Sequence, residues 1–262
     1  MDKIIVYCGT RNIYNTMAVA AKSALCHNNI DKIYFFIEDD VFPEYLPSFV
    51  ECINVSDQKW FPFNNSTWTY MANMRFVIGK ILPGIDTALY LDTDTLVLGD
   101  ISEVFNTDLT GKLFAMVAED VNEITIEYLN GFKLLSSGIS AIKSDNARPS
   151  YPIRPYYNSG VMYMNIREMT SSGMDESLIK EVTSSLYEYP DQDAINILCH
   201  EMIVPLPHEY NVMPAISPDF PTDRIRIKHY ASDKPLWKSS LWQQYRRMSW
   251  DTVMERQESL HE

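Results

Sequence analysis

The first hundred residues set three almost wholly apolar runs, KIIVYCG (3–9), KIYFFIE (32–38) and TALYLD (87–92), between stretches with helical spacing. That succession is the strongest limit on what the chain can fold into. A strand with one wet face alternates apolar and polar residues, whereas a strand apolar throughout is covered on both faces, as in a parallel sheet. NTMAVAAKSALCH (15–27) is alanine-rich. YMANMRFVIGKIL (70–82) sets Tyr70, Met74, Val77, Ile78 and Ile81 at helical spacing and is closed by Pro83 and Gly84. Later runs at 112–119, 159–165, 201–206 and 224–230 read as strands, and 175–189 and 191–201 as helices. Prolines crowd into 149–155 and 205–221, which reads as ordered loop over one edge. The expectation is an α/β fold with a mostly parallel central sheet and helices on both faces, built as one unit over 1–262.

No apolar run approaches the roughly 20 residues that span a bilayer. The start, MDKIIVYCG, reads as a first strand rather than a signal peptide, so the expected location is cytoplasmic. Cys8, Cys26, Cys52 and Cys199 are scattered without a C-x-x-C pair and read as buried thiols. The formal net charge of −13 argues against a nucleic-acid partner, which needs clustered Lys and Arg. The same charge repels a phosphorylated ligand unless cations gather locally.

Within ALYLDTDTLVL (88–98), two carboxylates interrupt an apolar run. An isolated ionised carboxylate is very costly to bury unless paired, hydrogen-bonded or bound to a metal. In a strand, residues two apart share a face, so Asp92 and Asp94 would present their carboxylates together past the end of a parallel strand, where α/β sheets bind ligands. Such a pair is half a site for a hard divalent cation, Mn²⁺ or Mg²⁺. The plainer reading is that both acids solvate a strand end. Asp100, followed three residues later by Glu103, reads as a helix N-cap with its capping-box partner.

Taken with YYNSGVMYMNIREM, YPDQDAIN and HYASDKPLW, in that order along the chain, the D-x-D segment resembles family 8 of the retaining glycosyltransferases. The likeness runs from about residue 3 to about residue 237. It implies a single-domain, A-type glycosyltransferase fold, Mn²⁺ dependence with Mg²⁺ as the second choice, and transfer of a glucose or galactose from a UDP-sugar to a saccharide or glycoconjugate acceptor. By the resemblance, Asp92, Asp94 and His229 hold the metal. Arg75 lies near the donor sugar and phosphates, Asn158 meets the sugar, and Gly160 allows close backbone approach. Asp191 and Gln192 lie beneath the reacting carbon, Lys234 grips the diphosphate, and either Glu119 or Asp120, with Asp120 preferred, is a further site acid. Thr10 and Asn12 stand near the place of an acid that reads uracil, and Ile13 or Tyr14 near that of a stacking tyrosine. Residues 1–100 would then form a nucleotide-binding half, 101–237 a donor-sugar and acceptor half, and 238–262 a helical tail that either packs as a last helix or mediates self-association.

The tail motif HYASDKPLW departs from the family's H-x-x-G-x-x-K-P-W in lacking the glycine, in an early lysine and in a leucine before the tryptophan. Retention is compatible with front-side attack or with a double displacement through Gln192 or Asp191. Two other classes compete: a protein that binds a nucleotide sugar without turning it over, and a metal-dependent phosphatase, which also uses D-x-D after an apolar strand.

Overall fold

The computed structural model describes residues 2–38, 46–61, 69–119, 124–126, 132–135, 138–141, 151–153, 155–185, 187–231 and 236–260. Strands β1 (Ile4–Gly9), β2 (Lys32–Ile37), β3 (Val50–Asn54), β4 (Thr87–Leu91), β5 (Thr95–Val97) and β6 (Phe114–Ala118) come first. Short strands β7 (Ile124–Ile126), β8 (Phe132–Leu135), β9 (Gly138–Ala141) and β10 (Tyr151–Ile153) pair as two ribbons, β7 with β10 and β8 with β9. Then come β11 (Tyr157–Asn165), β12 (Ile203–Pro205) and β13 (Ile227–His229). The helices are α1 (Tyr14–Leu25), α2 (Ile78–Ile81), α3 (Ser102–Phe105), α4 (Ile166–Ser171), α5 (Met174–Ser184), α6 (Pro190–Leu198), α7 (Ser240–Arg247) and α8 (Trp250–Glu258).

Seven strands form one sheet in the order β12-β6-β11-β4-β1-β2-β3. Every neighbouring pair is parallel except the two made by β11, which runs against β4 and β6. The continuous apolar runs follow from two-sided burial. Alternate residues of β1 and β4 feed separate cores: Ile5, Tyr7, Leu89 and Leu91 enter one, while Ile4, Val6, Ala88 and Tyr90 enter the other. The first core is closed by α1, α7 and α8 through Met17, Leu25, Trp242, Tyr245 and Val253. The second is closed by residues 70–77 and by α4 to α6, through Met74, Phe76, Met169, Leu178 and Ile195.

Three expectations are corrected. Residues 70–82 are not one α-helix but a 3-10 segment, Tyr70–Val77, followed by the single turn of α2. The Arg75 side chain explains part of this, because its Nε donates to the Ala72 carbonyl at 2.6 Å, the acceptor an α-helix would give to the amide of residue 76. Asp100 does not form a capping box with Glu103. It accepts from the Ser102 amide and hydroxyl, while Glu103 takes the Tyr210 hydroxyl. Of the four thiols, three are buried, whereas Cys52 is half-buried, and all four are free. The edge strand β3, VECIN with Glu51 as its second residue and Asn54 as its last, carries no apolar run and escapes sequence reading.

The tail packs as two helices on α1. Lys22 donates to the Met248 carbonyl at 2.7 Å and lies 4.9 Å from the Trp250 ring, and His27 meets the Tyr245 hydroxyl at 2.9 Å. No helix among the described residues is long and apolar enough to cross a membrane.

Leu89 is fully buried in the centre of this sheet. Leu89→Ala should cost about 2–5 kcal/mol in urea unfolding, whereas Arg247→Ala on the exposed face of α7 should stay within about 0.5 kcal/mol.

Candidate active site

The site lies at the edge where the parallel strands end. Because β11 is reversed, its first residues, Tyr157 to Gly160, reach the same edge as Gly9, Asp92 and Glu119. Pairing between β11 and β6 is irregular over this stretch, slipping between Tyr157 and Met162, and such irregularities commonly re-aim side chains beside active sites.

Asp92 and Asp94 do not sit in a strand. β4 stops at Leu91, and residues 92–95 make a tight turn closed by the Thr95 amide on the Asp92 carbonyl at 3.1 Å. The turn is pinned from both sides, by the Asp92 amide on Gly160 O at 2.8 Å and by the Tyr230 amide on Asp94 O at 2.9 Å. Antiparallel pairing of β13 with β5 sets His229 opposite Thr95, and this register brings a residue from late in the chain to the carboxylate pair. His229 Nε2 is 3.3 Å from Asp94 Oδ1 and 3.7 Å from Asp92 Oδ2. One ligand atom from each of the three residues lies within 4.8 Å of the others. Gly160 is the floor beneath them: an added Cβ would lie 2.2 Å from His229 Cε1 and 2.9 Å from Asp92 Oδ2.

Arg75 is buried behind this cluster, 3% exposed. Its guanidinium meets Asp92 Oδ1 at 3.1 Å, Asp191 Oδ2 at 2.9 Å, the Ser159 carbonyl at 2.6 Å and the Tyr90 hydroxyl at 2.9 Å. It also lies 4.1 Å from the Tyr90 ring centre. Asn158 Nδ2 donates to Glu119 Oε1 and to Gln192 Oε1, both at 3.0 Å, while Oδ1 accepts from the Gly160 amide at 2.9 Å and from Asn211 Nδ2 at 2.8 Å. Two donors and two acceptor positions are thus all used within the protein, so a sugar hydroxyl would reach Asn158 only by displacing one of them.

A cavity of about 1050 Å³ opens over the cluster. The pattern of the family described as "Glycosyl transferase family 8" matches residues 4–240. The chain belongs to that family. Lipopolysaccharide 1,2-glucosyltransferase of Escherichia coli (strain K12) is 31% identical over 133 residues, 49% of this chain and 34% of that protein. The probable glycosyl transferase Gly of Streptococcus gordonii is 23% identical over 97% of this chain and 36% of its own length. The chain therefore spans about a third of these curated relatives. Among solved structures, glycosyltransferase GlyE of Streptococcus pneumoniae TIGR4 superposes with a TM-score of 0.68 at 19% identity, covering 100% of this chain and 64% of that one. Galactosyltransferase LgtC, solved with donor and acceptor sugar analogues, gives 0.57 at 20% identity over 98% of this chain and 95% of that one. These likenesses identify the A-type glycosyltransferase fold.

In this family 8 chain, the sequence-predicted residues divide into three groups. Asp92, Asp94, His229, Arg75, Asn158, Gly160, Asp191 and Gln192 converge at one edge, and all but Gly160 line the cavity. Thr10, Asn12 and Tyr14 are not among the described lining residues, whereas Ile13, the alternative to Tyr14, is, together with Asn15 and Thr16. Tyr14 turns inward, with its ring edge-on to Phe35 at 6.0 Å. Asp120 and Lys234 lie outside the described residues. Glu119 lines the cavity and is held by Asn158 and Gln192. Sequence reasoning missed Asn211, Tyr90 and Asp193, and also the tail residues Trp242 and Arg246, which supply part of the wall. Only Tyr90, as the residue two before Asp92 and on its side of the strand, left a signal.

Burial shifts the titrating groups. The Asp92 carboxyl stands above the usual range because burial outweighs the opposing pull of Arg75 and His229. Burial works against the His229 imidazolium, yet the Asp94 hydrogen bond and both aspartate charges together lift its pKa. Asp193, on the first turn of α6, is pushed up to about 6 by burial, although Tyr156 and the Tyr189 amide hydrogen-bond to it.

A carboxyl with a raised folded pKa binds its proton more tightly when folded. The stability this provides is present at low pH and is lost as pH rises from about 4 through about 6. Urea midpoints of wild type and Asp193→Asn should therefore diverge between pH 4 and pH 7, with wild type losing more. Gly160→Ala should lower the thermal midpoint by the equivalent of about 1–3 kcal/mol, because His229 and Asp92 must shift to admit the methyl.

Proposed function

We propose that this family 8 chain transfers a hexose, glucose or galactose, from a UDP-sugar to a saccharide or glycoconjugate acceptor with retention at the anomeric carbon, using a divalent ion, Mn²⁺ before Mg²⁺. The observation that carries the reading is the convergence of Asp92, Asp94 and His229 above Gly160. Two carboxylates and one imidazole suit Mn²⁺, and are a less usual set for Mg²⁺. The charge balance of the cavity supports it too. Among the described lining residues, six carboxylates (Asp92, Asp94, Glu119, Glu188, Asp191, Asp193) face Arg75, Arg246 and His229. A diphosphate would be repelled there without a further cation.

The ion, when held by those three residues, supplies Lewis acidity that neutralises the leaving diphosphate. The chain's own groups do the rest. Arg75 adds a permanent positive charge behind Asp92, and Lys234 is assigned to the diphosphate. Thr10 and Asn12 are assigned to the uridine, with Ile13 rather than the inward-turned Tyr14 beside it, within a nucleotide-binding half formed by residues 1–100, with the sugar and acceptor on 101–237. Glu119 or Asp120 is the remaining acid beside the sugar.

Asp191 and Gln192 would lie under the reacting carbon, but both are committed. Asp191 Oδ2 holds Arg75 and the Ser159 hydroxyl, and Gln192 Oε1 accepts from Asn158 and the Ser159 amide. That engagement supports front-side attack over a double displacement. The acceptor hydroxyl attacks the anomeric carbon on the face the diphosphate leaves, and its proton passes to the departing phosphate oxygen.

Incubation with UDP-glucose or UDP-galactose should release UDP with Mn²⁺ and not with a chelator present. Asp94→Asn is the cleaner probe, because Asp92 also neutralises buried Arg75. It should cut release by more than the roughly 10–100-fold typical of outer-shell changes, and leave the metal-free thermal midpoint within about 3 °C. Donor binding with no release would favour the non-catalytic reading, and full turnover by Asp94→Asn would refute the metal assignment.

A further inference from the structure

We propose that Asn211 is a positioning residue that keeps the His229 ring hydrogen on Nδ1, so that with an ion held between Asp92, Asp94 and His229 the coordinating lone pair is that of Nε2. The inference rests on the metal reading above and deepens it.

Asn and Gln amides and histidine tautomers are assigned by following hydrogen bonds back to groups whose role is fixed. Here two such groups fix the chain of contacts. The Gly160 amide can only donate, and it meets Asn158 Oδ1 at 2.9 Å. The Glu119 carboxylate accepts, and it meets Asn158 Nδ2 at 3.0 Å. Asn158 therefore presents an oxygen to Asn211, and Asn211 must turn its amide nitrogen that way, at 2.8 Å. That leaves Asn211 Oδ1, an acceptor, facing His229 Nδ1 at 2.9 Å. His229 Nδ1 must then carry hydrogen, and Nε2 is the nitrogen left to coordinate.

Backbone pairing keeps this geometry in place. The Val212 amide donates to Ile227 O and the His229 amide to Val212 O, each at 2.9 Å, so Asn211 is tied beside β13. Both Asn211 and His229 are buried, at 0% and 2% exposure, leaving the ring no alternative partner in water. A partner on the second ring nitrogen is the general device for fixing a metal-binding histidine, and its loss typically weakens metal binding about 10–100-fold.

The test uses the full chain labelled with ¹⁵N-histidine and loaded with ¹¹³Cd²⁺, a diamagnetic probe, with His229 assigned by the signal missing from His229→Gln. The expected spectrum has hydrogen on Nδ1 and cadmium coupling on Nε2. In parallel, Mn²⁺ affinity by titration calorimetry should fall about 10–100-fold in Asn211→Leu and recover most of that loss in Asn211→Asp, which keeps an acceptor oxygen toward Nδ1. Cadmium coupling to Nδ1, hydrogen on Nε2, or equal losses in the two variants would overturn the inference while leaving the metal site standing. If wild type binds neither ion, the metal reading and this inference fall together. The wild-type spectrum decides the tautomer even if Asn211→Leu does not fold.

Discussion

The buried guanidinium of Arg75 is the constraint around which the rest of the site is arranged. A permanent charge out of water must be surrounded by opposite charge and by acceptors, or the fold does not hold it. Here it gathers Asp92 from the turn after β4, Asp191 from the start of α6 and the Ser159 carbonyl from β11. Three segments distant in sequence are thereby fixed relative to one another before any ligand arrives. Asp92 is shared, with one oxygen facing Arg75 and the other facing His229, so the interior ion cluster and the candidate metal site are mechanically one object.

Around that object the chain divides labour by backbone type. The floor is sheet: Gly160, Ser159 and Asn158 lie on β11, and Asp92 is hydrogen-bonded directly to it. The walls are helix ends and loops, including Ile13 and Thr16 at the start of α1 and Trp242 and Arg246 on α7. Tail and α1 wall are joined, since α7 and α8 pack on α1 in the same core.

Much of this was legible in the sequence because burial leaves a direct trace in residue type. The two-faced sheet was readable from β1, β2 and β4, whose residues are apolar on both sides. Asp92, Asp94 and His229 were readable only by motif, since their approach depends on the register of β13 against β5, which nothing in RIRIKHY announces. The route was also different from the one the sequence suggested: the two aspartates converge through a turn and not through the two-residue repeat of a strand. Asn211 was invisible. A single polar residue in a proline-rich loop has no pattern, and its role exists only through contacts made by other elements. Tyr14 misleads for the converse reason, because an aromatic near a loop suits a ligand and a core equally well, and Phe35 claims it.

The reversed direction of β11 has a mechanical consequence. In an all-parallel sheet the chemistry at the carboxyl edge hangs from loops, each as mobile as its own length permits. Here a strand begins where its neighbours finish, so three consecutive residues of the site, Asn158 to Gly160, are carried by the sheet and held by hydrogen bonds to Asp92, Arg75 and Gln192. Any adjustment to an arriving ligand must therefore come from the periphery, with the base of the cleft serving as a fixed anvil.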